Sequence, residues 1–360
     1  MVFLSESILY LCFALLIGGL ISNIISPNLQ PNIELPKWLF PVTVAGIAVL
    51  SYIPVWRIIS YFASDLGFWL TFRSVVFTFE EGKAFLFTIA LSIILMVIIA
   101  MYGTRNHKAM IIISLLLTVL MVTALGWSSH VASKYGWIGF IAHSAHFLAV
   151  SIWIGLLLII GWFAKDYTNW ISFLKWYTPL SILCVTVVMV SGWIITQYLT
   201  PQYVDAWVLP YGQALLIKHL LIIPLLMFAF LNGFFIKRRL RNIPQYSPLN
   251  WLRAESLITL FIFSVTGYLG QQTPPHDVAL TLVENKPSTL FLALHPDELD
   301  INNLLTFGFN EISILLALLA ILFLFLGVVL YLKKFHPFYL LFTSGIFVFT
   351  AYLSFMAAVK

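Results

Sequence analysis

Two histidines inside an apolar run are the residues of this sequence best suited to chemistry. His143 and His146 occur in the stretch Ala142-His143-Ser144-Ala145-His146. Residues three apart share one face of a helix, so both imidazoles can point at one centre. Neutral imidazole is a common metal ligand, and ionisable side chains within membrane spans are functional by default. The spacing therefore predicts a metal site with His143 and His146 as ligands.

Five further side chains could contribute to such a site. His130 is expected to close the fourth apolar run, and His219 lies about two turns inside the seventh, so each could join the pair or pack as a hydrogen-bonding residue. Met121, Met189 and Cys12 could form a relay inward from the histidines, because sulfur ligands favour Cu(I). Thioethers and thiols also serve as ordinary apolar filling between helices.

The composition excludes a soluble globule. Hydrophobic residues make up 61% of the 360 residues and charged residues 9%, whereas soluble domains carry about 25% charged residues. Lipid must be the outer solvent of the chain. The net charge of +5 comes from short basic segments between apolar runs, which orient spans in a membrane and do not indicate nucleic-acid binding.

Ten apolar runs have the length of about 20 residues that a spanning helix needs. The sequence therefore predicts an all-α, polytopic transmembrane helical bundle. The runs lie near residues 4–26, 38–60, 84–104, 109–130, 137–164, 171–198, 212–236, 252–270, 311–332 and 337–357.

The positions of lysine and arginine predict the orientation. Ten alternating spans place the four basic segments on one side, which should be cytoplasmic, so both termini and the outer half of the fifth run should be extracytoplasmic. The loops 61–83, 127–137, 199–211 and 271–310 should face outward as well. These segments are Arg105 to Lys108, Lys165 to Lys175, Lys237 to Arg241 with Arg253, and Lys333 to Lys334. The tryptophans near the outer ends are expected to form an interfacial belt: Trp127, Trp137, Trp193 and Trp207.

The chain is expected to divide into three parts. Residues 1–270 form an eight-helix membrane unit, 271–310 an extracytoplasmic loop or cap, and 311–360 two additional spans. The alternating pattern from Val278 to Val283 and the acidic Asp297-Glu298-Leu299-Asp300 indicate a small, partly ordered cap. His276 and His295 fall in this polar segment and are expected to be solvated.

Several enzyme signatures are absent from the sequence. It contains no HExxH, GxSxG or GxxxxGK[ST] motif, and no GxGxxG following a strand. The chain is therefore not expected to be an enzyme, nor an ATP-driven pump by itself.

Three motifs resemble those of the copper resistance D family of bacterial polytopic membrane proteins. The first is the stretch from His143 to Gly155, including Trp153. The second begins at Tyr211-Gly212, continues to Lys218 and is followed by Asn232. The third is Arg253-Ala254-Glu255, with a helix that closes at Thr273-Pro274-Pro275. The motifs occur in family order and span roughly residues 127–275.

The resemblance implies a multi-pass protein of the bacterial cytoplasmic membrane that handles copper, most often discussed as an uptake permease. It also implies that His143 and His146 belong to a copper site. His219 stands where the family would have an apolar residue, so a role for it does not follow from the resemblance. Some relatives carry an extracytoplasmic copper-binding β-sandwich that this sequence lacks, so a copper-loaded soluble partner is expected to be a separate protein.

Three hypotheses follow from the sequence. The first is a copper permease with an outer histidine site, for Cu(I) or Cu(II). The second is a b-type haem protein in which His143 or His146 faces His219 as the other axial ligand. The third is a non-transporting copper chaperone that serves in the assembly of a respiratory oxidase.

Overall fold

The computed structural model describes residues 2–105, 107–236, 248–295 and 305–359. The basic residues from Lys237 to Arg241 and the acidic stretch from Asp297 to Asp300 lie outside the described residues. Helix accounts for 82% of the structure, and the described residues form isolated β-bridges but no strand. The all-α prediction is confirmed.

Ten helical segments of the described chain are long and apolar enough to cross a bilayer, which confirms the predicted number. Each overlaps one of the ten predicted runs. The segments are Leu4–Ile24, Leu39–Leu66, Glu80–Tyr102, Lys108–Trp127, His130–Phe163, Trp170–Leu199, Pro210–Phe235, Leu249–Leu269, Glu311–Leu332 and Pro337–Ala357.

The chain forms two compact units, Met1–Ile195 and Thr196–Lys360. Helix α8 begins in the first unit and ends in the second. The helices that lie in or begin in the first unit are α1 (Val2–Ile24), α2 (Leu39–Leu50), α3 (Tyr52–Leu66), α4 (Phe68–Thr78), α5 (Glu80–Tyr102), α6 (Lys108–Trp127), α7 (His130–Phe163) and α8 (Trp170–Leu199).

Close packing of α1 on α7 organises the first unit. A Cβ atom added to Gly18 would lie 2.2 Å from the carbonyl carbon of Gly155, and one added to Gly155 would lie 2.1 Å from the carbonyl oxygen of Ala14. The two backbones are therefore in direct contact. Small residues allow this approach. In lipid no hydrophobic effect drives helices together, so close van der Waals packing stabilises the helix pair instead.

Helix α7 is broken near its beginning. Gly136 has φ +57° and ψ −132°, a conformation that glycine adopts without the steric cost of a Cβ. The short first part starts after Ser129, whose Oγ accepts a hydrogen bond from the amide of Ala132. His130 therefore begins α7, and the expectation that it closes the preceding helix is wrong.

The segment 61–83, expected to be an outer loop, is largely helical. Helix α3 continues to Leu66, and α4 follows after Gly67, which has φ +82°. Val55 and Ile59 of α3 pack with Val75 and Val76 of α4 in a small apolar core. The loop expectation failed because these helices are short and carry many exposed aromatic side chains, so hydropathy alone does not reveal them.

The second unit contains the remaining α-helices of the described residues: α9 (Pro210–Phe230), α10 (Leu249–Leu269), α11 (Val278–Glu284), α12 (Thr289–Leu292), α13 (Glu311–Leu332) and α14 (Pro337–Ala357). A π-helix, Leu231–Phe235, follows α9 directly. Helix α14 packs on α13, α9 and α10. The last two spans thus belong to the same compact unit as α9 and α10.

The segment after α10 differs from the sequence expectation. Residues 278–284 form a helix capped by Asp277, whose Oδ1 accepts a hydrogen bond from the Leu280 amide. His295 is buried, with Nε2 3.0 Å from the carbonyl oxygen of Met356, and His276 is partly buried, with Nδ1 3.2 Å from the carbonyl oxygen of Tyr198. The prediction of a solvated side chain is wrong for His295, and His276 keeps part of its surface exposed.

Three of the four tryptophans expected in an aromatic belt have the exposure that such a belt requires. Trp127, Trp137 and Trp193 are exposed, but Trp207 is only 2% exposed and packs in the apolar core of the second unit. A tryptophan in a short loop meets the core when that loop folds back as a 3₁₀ turn, here Asp205–Val208.

Candidate metal centre

The histidine pair lies on α7 after the break at Gly136, so His143 and His146 belong to one continuous helical stretch. Both side chains are partly buried. The spacing of three places them on one face of α7, as the sequence predicts.

Helix α6 contacts α7 between the two histidines. A Cβ atom added to Gly126 of α6 would lie 2.0 Å from Oγ of Ser144. Ser144 thus faces a glycine, and the two helices approach closely at this level. This contact fixes the rotation of α7 about its axis, which is the property that determines where the neighbouring imidazoles point.

Helix α1 holds the residue that follows the pair. The Phe147 ring lies 5.3 Å from the ring of Phe13 and 5.5 Å from that of Tyr10, both in edge-to-face geometry. Such aromatic pairs contribute about 0.5–1.5 kcal/mol beyond the burial of their area. Together with the close contact at Gly155, these ring contacts hold α7 against α1 along the part of α7 that follows the histidines.

Helix α8 contacts His146 itself. Nδ1 of His146 lies 3.1 Å from Oγ of Ser191, and a Cβ atom added to Gly192 would lie 3.3 Å from Cε1 of the imidazole. Gly192 therefore leaves room for the ring, and Nδ1 of the ring is within hydrogen-bond distance of Ser191.

The hydrogen bond between His146 and Ser191 selects a tautomer of His146. Oγ of Ser191 lies 2.5 Å from the carbonyl oxygen of Val187, and the hydroxyl has a single proton, which it donates to that carbonyl. Toward His146, Oγ then acts as acceptor, so Nδ1 carries the proton. In the neutral ring Nε2 then has the lone pair, which is the arrangement that a metal-binding imidazole needs.

Replacing Ser191 by alanine is therefore expected to weaken copper binding about tenfold, because a residue that orients a histidine ligand typically contributes 10–100-fold to metal affinity. A competition titration of purified protein with a chromogenic Cu(I) chelator measures this change. Ser264→Ala is the matched control, since Ser264 makes the same bond to the fourth preceding carbonyl from an exposed position. Equal affinities of the Ser191→Ala and Ser264→Ala proteins would contradict the assigned role.

Two of the three predicted sulfur side chains are buried in the first unit. Cys12 and Met121 belong to one apolar core, which also contains Phe147, the neighbour of His146. Met121 is 0% exposed, and its Sδ lies 4.0 Å from Oγ of Ser92. Met189, in contrast, is 52% exposed on α8, so it does not occupy the interior position that a relay requires.

The other two predicted histidines are His130, at the start of α7, and His219, on α9. His130 is exposed and precedes the break at Gly136. His219 lies in the second unit, where its Nδ1 is 2.7 Å from the hydroxyl of Tyr203. Burial raises the pKa of Tyr203 to about 12, so at neutral pH the phenol keeps its proton and can donate it to Nδ1 of His219.

No three histidine, cysteine, aspartate or glutamate side chains of the described chain are placed together so as to hold a metal ion. The geometry thus offers the pair on α7, with a buried thioether and thiol in the adjoining core. Low-coordinate Cu(I) suits such a small set of imidazole and sulfur ligands.

Sequence reasoning missed the residues that position the pair. Ser191, Gly192 and Gly126 do not stand out as ligands, and their role depends on which helices are neighbours. The only available signal was the occurrence of small residues within apolar runs, which is typical of close helix packing in membranes.

Comparison with curated proteins found no match, and comparison with solved structures found none either. A family model does match within the chain, over α8, α9 and α10. The matched part contains the motifs around Tyr211, Asn232 and Glu255, whereas the motif from His143 to Gly155 lies before it. Residues 171–269 match the family model described as copper resistance protein D, which confirms the predicted resemblance to that family.

Proposed function

We propose that this protein is a copper permease that accepts the ion at an outer histidine site and moves it into the cell. The match of residues 171–269 to copper resistance protein D is the observation that carries the proposal. The ten apolar spans are consistent with a membrane-embedded path. The membrane in this proposal is the bacterial cytoplasmic membrane, and a separate extracytoplasmic protein delivers the copper.

His143 and His146 are the proposed ligands at the outer mouth. The bond between Ser191 and Nδ1 of His146 supports this role, because it leaves Nε2 as the nitrogen with the lone pair. Neutral ligands bring no charge of their own into the span. A permease needs this property, since its sites must release the ion as well as bind it.

Cys12 and Met121 are the proposed next ligands on the inward path. They share an apolar core with Phe147, and soft sulfur ligands suit Cu(I) in such surroundings. His130 and His219 are proposed only as accessory residues, near the mouth and in the second unit respectively.

Copper flux into sealed vesicles tests this function. Purified protein reconstituted into liposomes is expected to carry external Cu(I) to a chelator trapped inside, at a rate well above that of protein-free liposomes. Binding of copper to the protein without any entry into the vesicles would overturn the permease and favour the chaperone and assembly role instead.

A further inference from the structure

A buried carboxyl group in the second unit has no part in the proposed copper site. Glu255 lies in α10, within a candidate membrane span, and is 3% exposed. Its Oε2 accepts a hydrogen bond of 2.7 Å from Nδ2 of Asn232. Ionisable side chains inside a span are rare and costly, and they commonly mark ion or proton pathways.

Asn232 is itself buried and only partly satisfied. It is 4% exposed, and its Nδ2 also lies 3.5 Å from the carbonyl oxygen of Trp251. Its Oδ1 is buried without a hydrogen-bond partner in the described part of the chain. A native protein seldom leaves a buried acceptor unmatched, and such a group therefore calls for an explanation.

The backbone around Asn232 departs from the regular α-helix. Asn232 belongs to the π-helix Leu231–Phe235, and the carbonyl oxygen of Leu231 accepts a hydrogen bond of 3.1 Å from the hydroxyl of the buried Tyr331. Single π turns occur frequently at functional sites, where they allow the hydrogen-bond register of a helix to change.

Glu255 forms no ion pair within the described residues. None of the described lysine, arginine or histidine side chains pairs with this carboxyl group. Arg253 is two residues away on the same helix, and residues two apart do not face each other. Lys218 and His219 lie on α9, about 20 Å along the helix axis from Asn232, the residue that contacts Glu255.

The other titratable side chains on α10 and on the helices that pack near Glu255 are tyrosines, together with one glutamate, two lysines and one histidine at helix ends. They are Tyr211 on α9, Tyr268 on α10, Glu311 and Tyr331 on α13 with Lys333 and Lys334 directly after it, and Tyr339 and Tyr352 on α14 with His336 directly before it. Lys333 and Lys334 are exposed, and none of these side chains forms an ion pair with Glu255. In such surroundings a carboxyl group is less costly to bury with a proton than as an isolated carboxylate.

We propose that Glu255 and Asn232 form a proton-binding site that couples proton movement to copper transport. The proton adds to Oε1 of Glu255 while Oε2 keeps its bond from Asn232, and loss of the proton leaves a carboxylate held by the same amide. The coupling part of this inference rests on the proposed permease function, whereas the proton site itself does not.

Infrared spectroscopy of purified protein tests the proton site directly. The wild type at pH 7 is expected to show the C=O stretching band of a protonated carboxyl group, and Glu255→Gln is expected to lose it. Glu284→Gln, which changes an exposed carboxyl of the same unit, should retain the band. Asn232→Ala should shift the band, because the carboxyl group loses its hydrogen-bond donor. Identical spectra of the wild type and Glu255→Gln would overturn the site.

Vesicle uptake tests the coupling. Copper entry through the wild type is expected to change when a pH difference is imposed across the membrane. Glu255→Gln should lose that dependence and Glu255→Asp should keep it. Equal rates of wild-type copper uptake with and without the pH difference would overturn the coupling. If wild-type vesicles take up no copper at all, the permease proposal and the coupling with it are wrong, and the infrared measurement still decides the proton site.

Discussion

Purified protein carrying both His143→Ala and His146→Ala is expected to bind Cu(I) at least about 100-fold more weakly than the wild type, which corresponds to about 2.8 kcal/mol. The two imidazoles occupy one face of α7, and removal of both takes away the nitrogen ligands of the proposed site. Loss of a residue that merely orients a ligand already costs 10–100-fold in metal affinity, so loss of two ligands should exceed that range. A competition titration with a Cu(I) chelator measures the affinity.

His107→Ala is the matched control for this experiment. His107 is an exposed histidine that precedes α6 and forms no side-chain cap, so its removal should leave copper affinity unchanged. Thermal unfolding of each protein shows whether the double variant is folded. A folded double variant with wild-type affinity would show that copper binds elsewhere.

Replacement of Gly155 by alanine is expected to destabilise the protein by about 3 kcal/mol or more, at or above the upper end of the range for overpacking. The added Cβ would lie 2.1 Å from the carbonyl oxygen of Ala14. Backbone atoms cannot rotate away as the end of a flexible side chain can, so α1 and α7 must separate. The separation removes contacts from the helix that carries the histidines, and copper binding should weaken with stability.

Gly345→Ala provides a direct comparison. Gly345 is also inside a candidate span, on α14, and an added Cβ would meet nothing within 4 Å. Since alanine is the better helix former, this variant should be as stable as the wild type or slightly more stable. Thermal unfolding in detergent measures both variants. Equal melting temperatures for Gly155→Ala and Gly345→Ala would show that the α1–α7 crossing is looser than described.

The ten spans could be predicted because each depends on a local property, the length of an apolar run. The spacing of His143 and His146 also survives folding, since residues three apart share a face wherever the helix lies. The break at Gly136 lies next to the predicted start of the fifth span, because the apolar run begins directly after it.

The surroundings of the site could not be predicted, because they depend on how each helix is rotated about its axis. Met121 and Met189 are the same residue type in similar apolar runs, yet the first is 0% exposed and the second 52%. The contacts of Ser191 with His146 and of Gly126 with Ser144 require knowledge of which helices are neighbours. Hydropathy carries neither kind of information when all faces of a span are apolar.

Metal analysis and an absorption spectrum of one purified preparation test the central claim most directly. Protein isolated from cells supplied with copper is expected to contain copper and to show no Soret band. An intense Soret band, with iron present and copper absent, would contradict a copper-handling protein and identify instead a b-type haem protein with axial histidines.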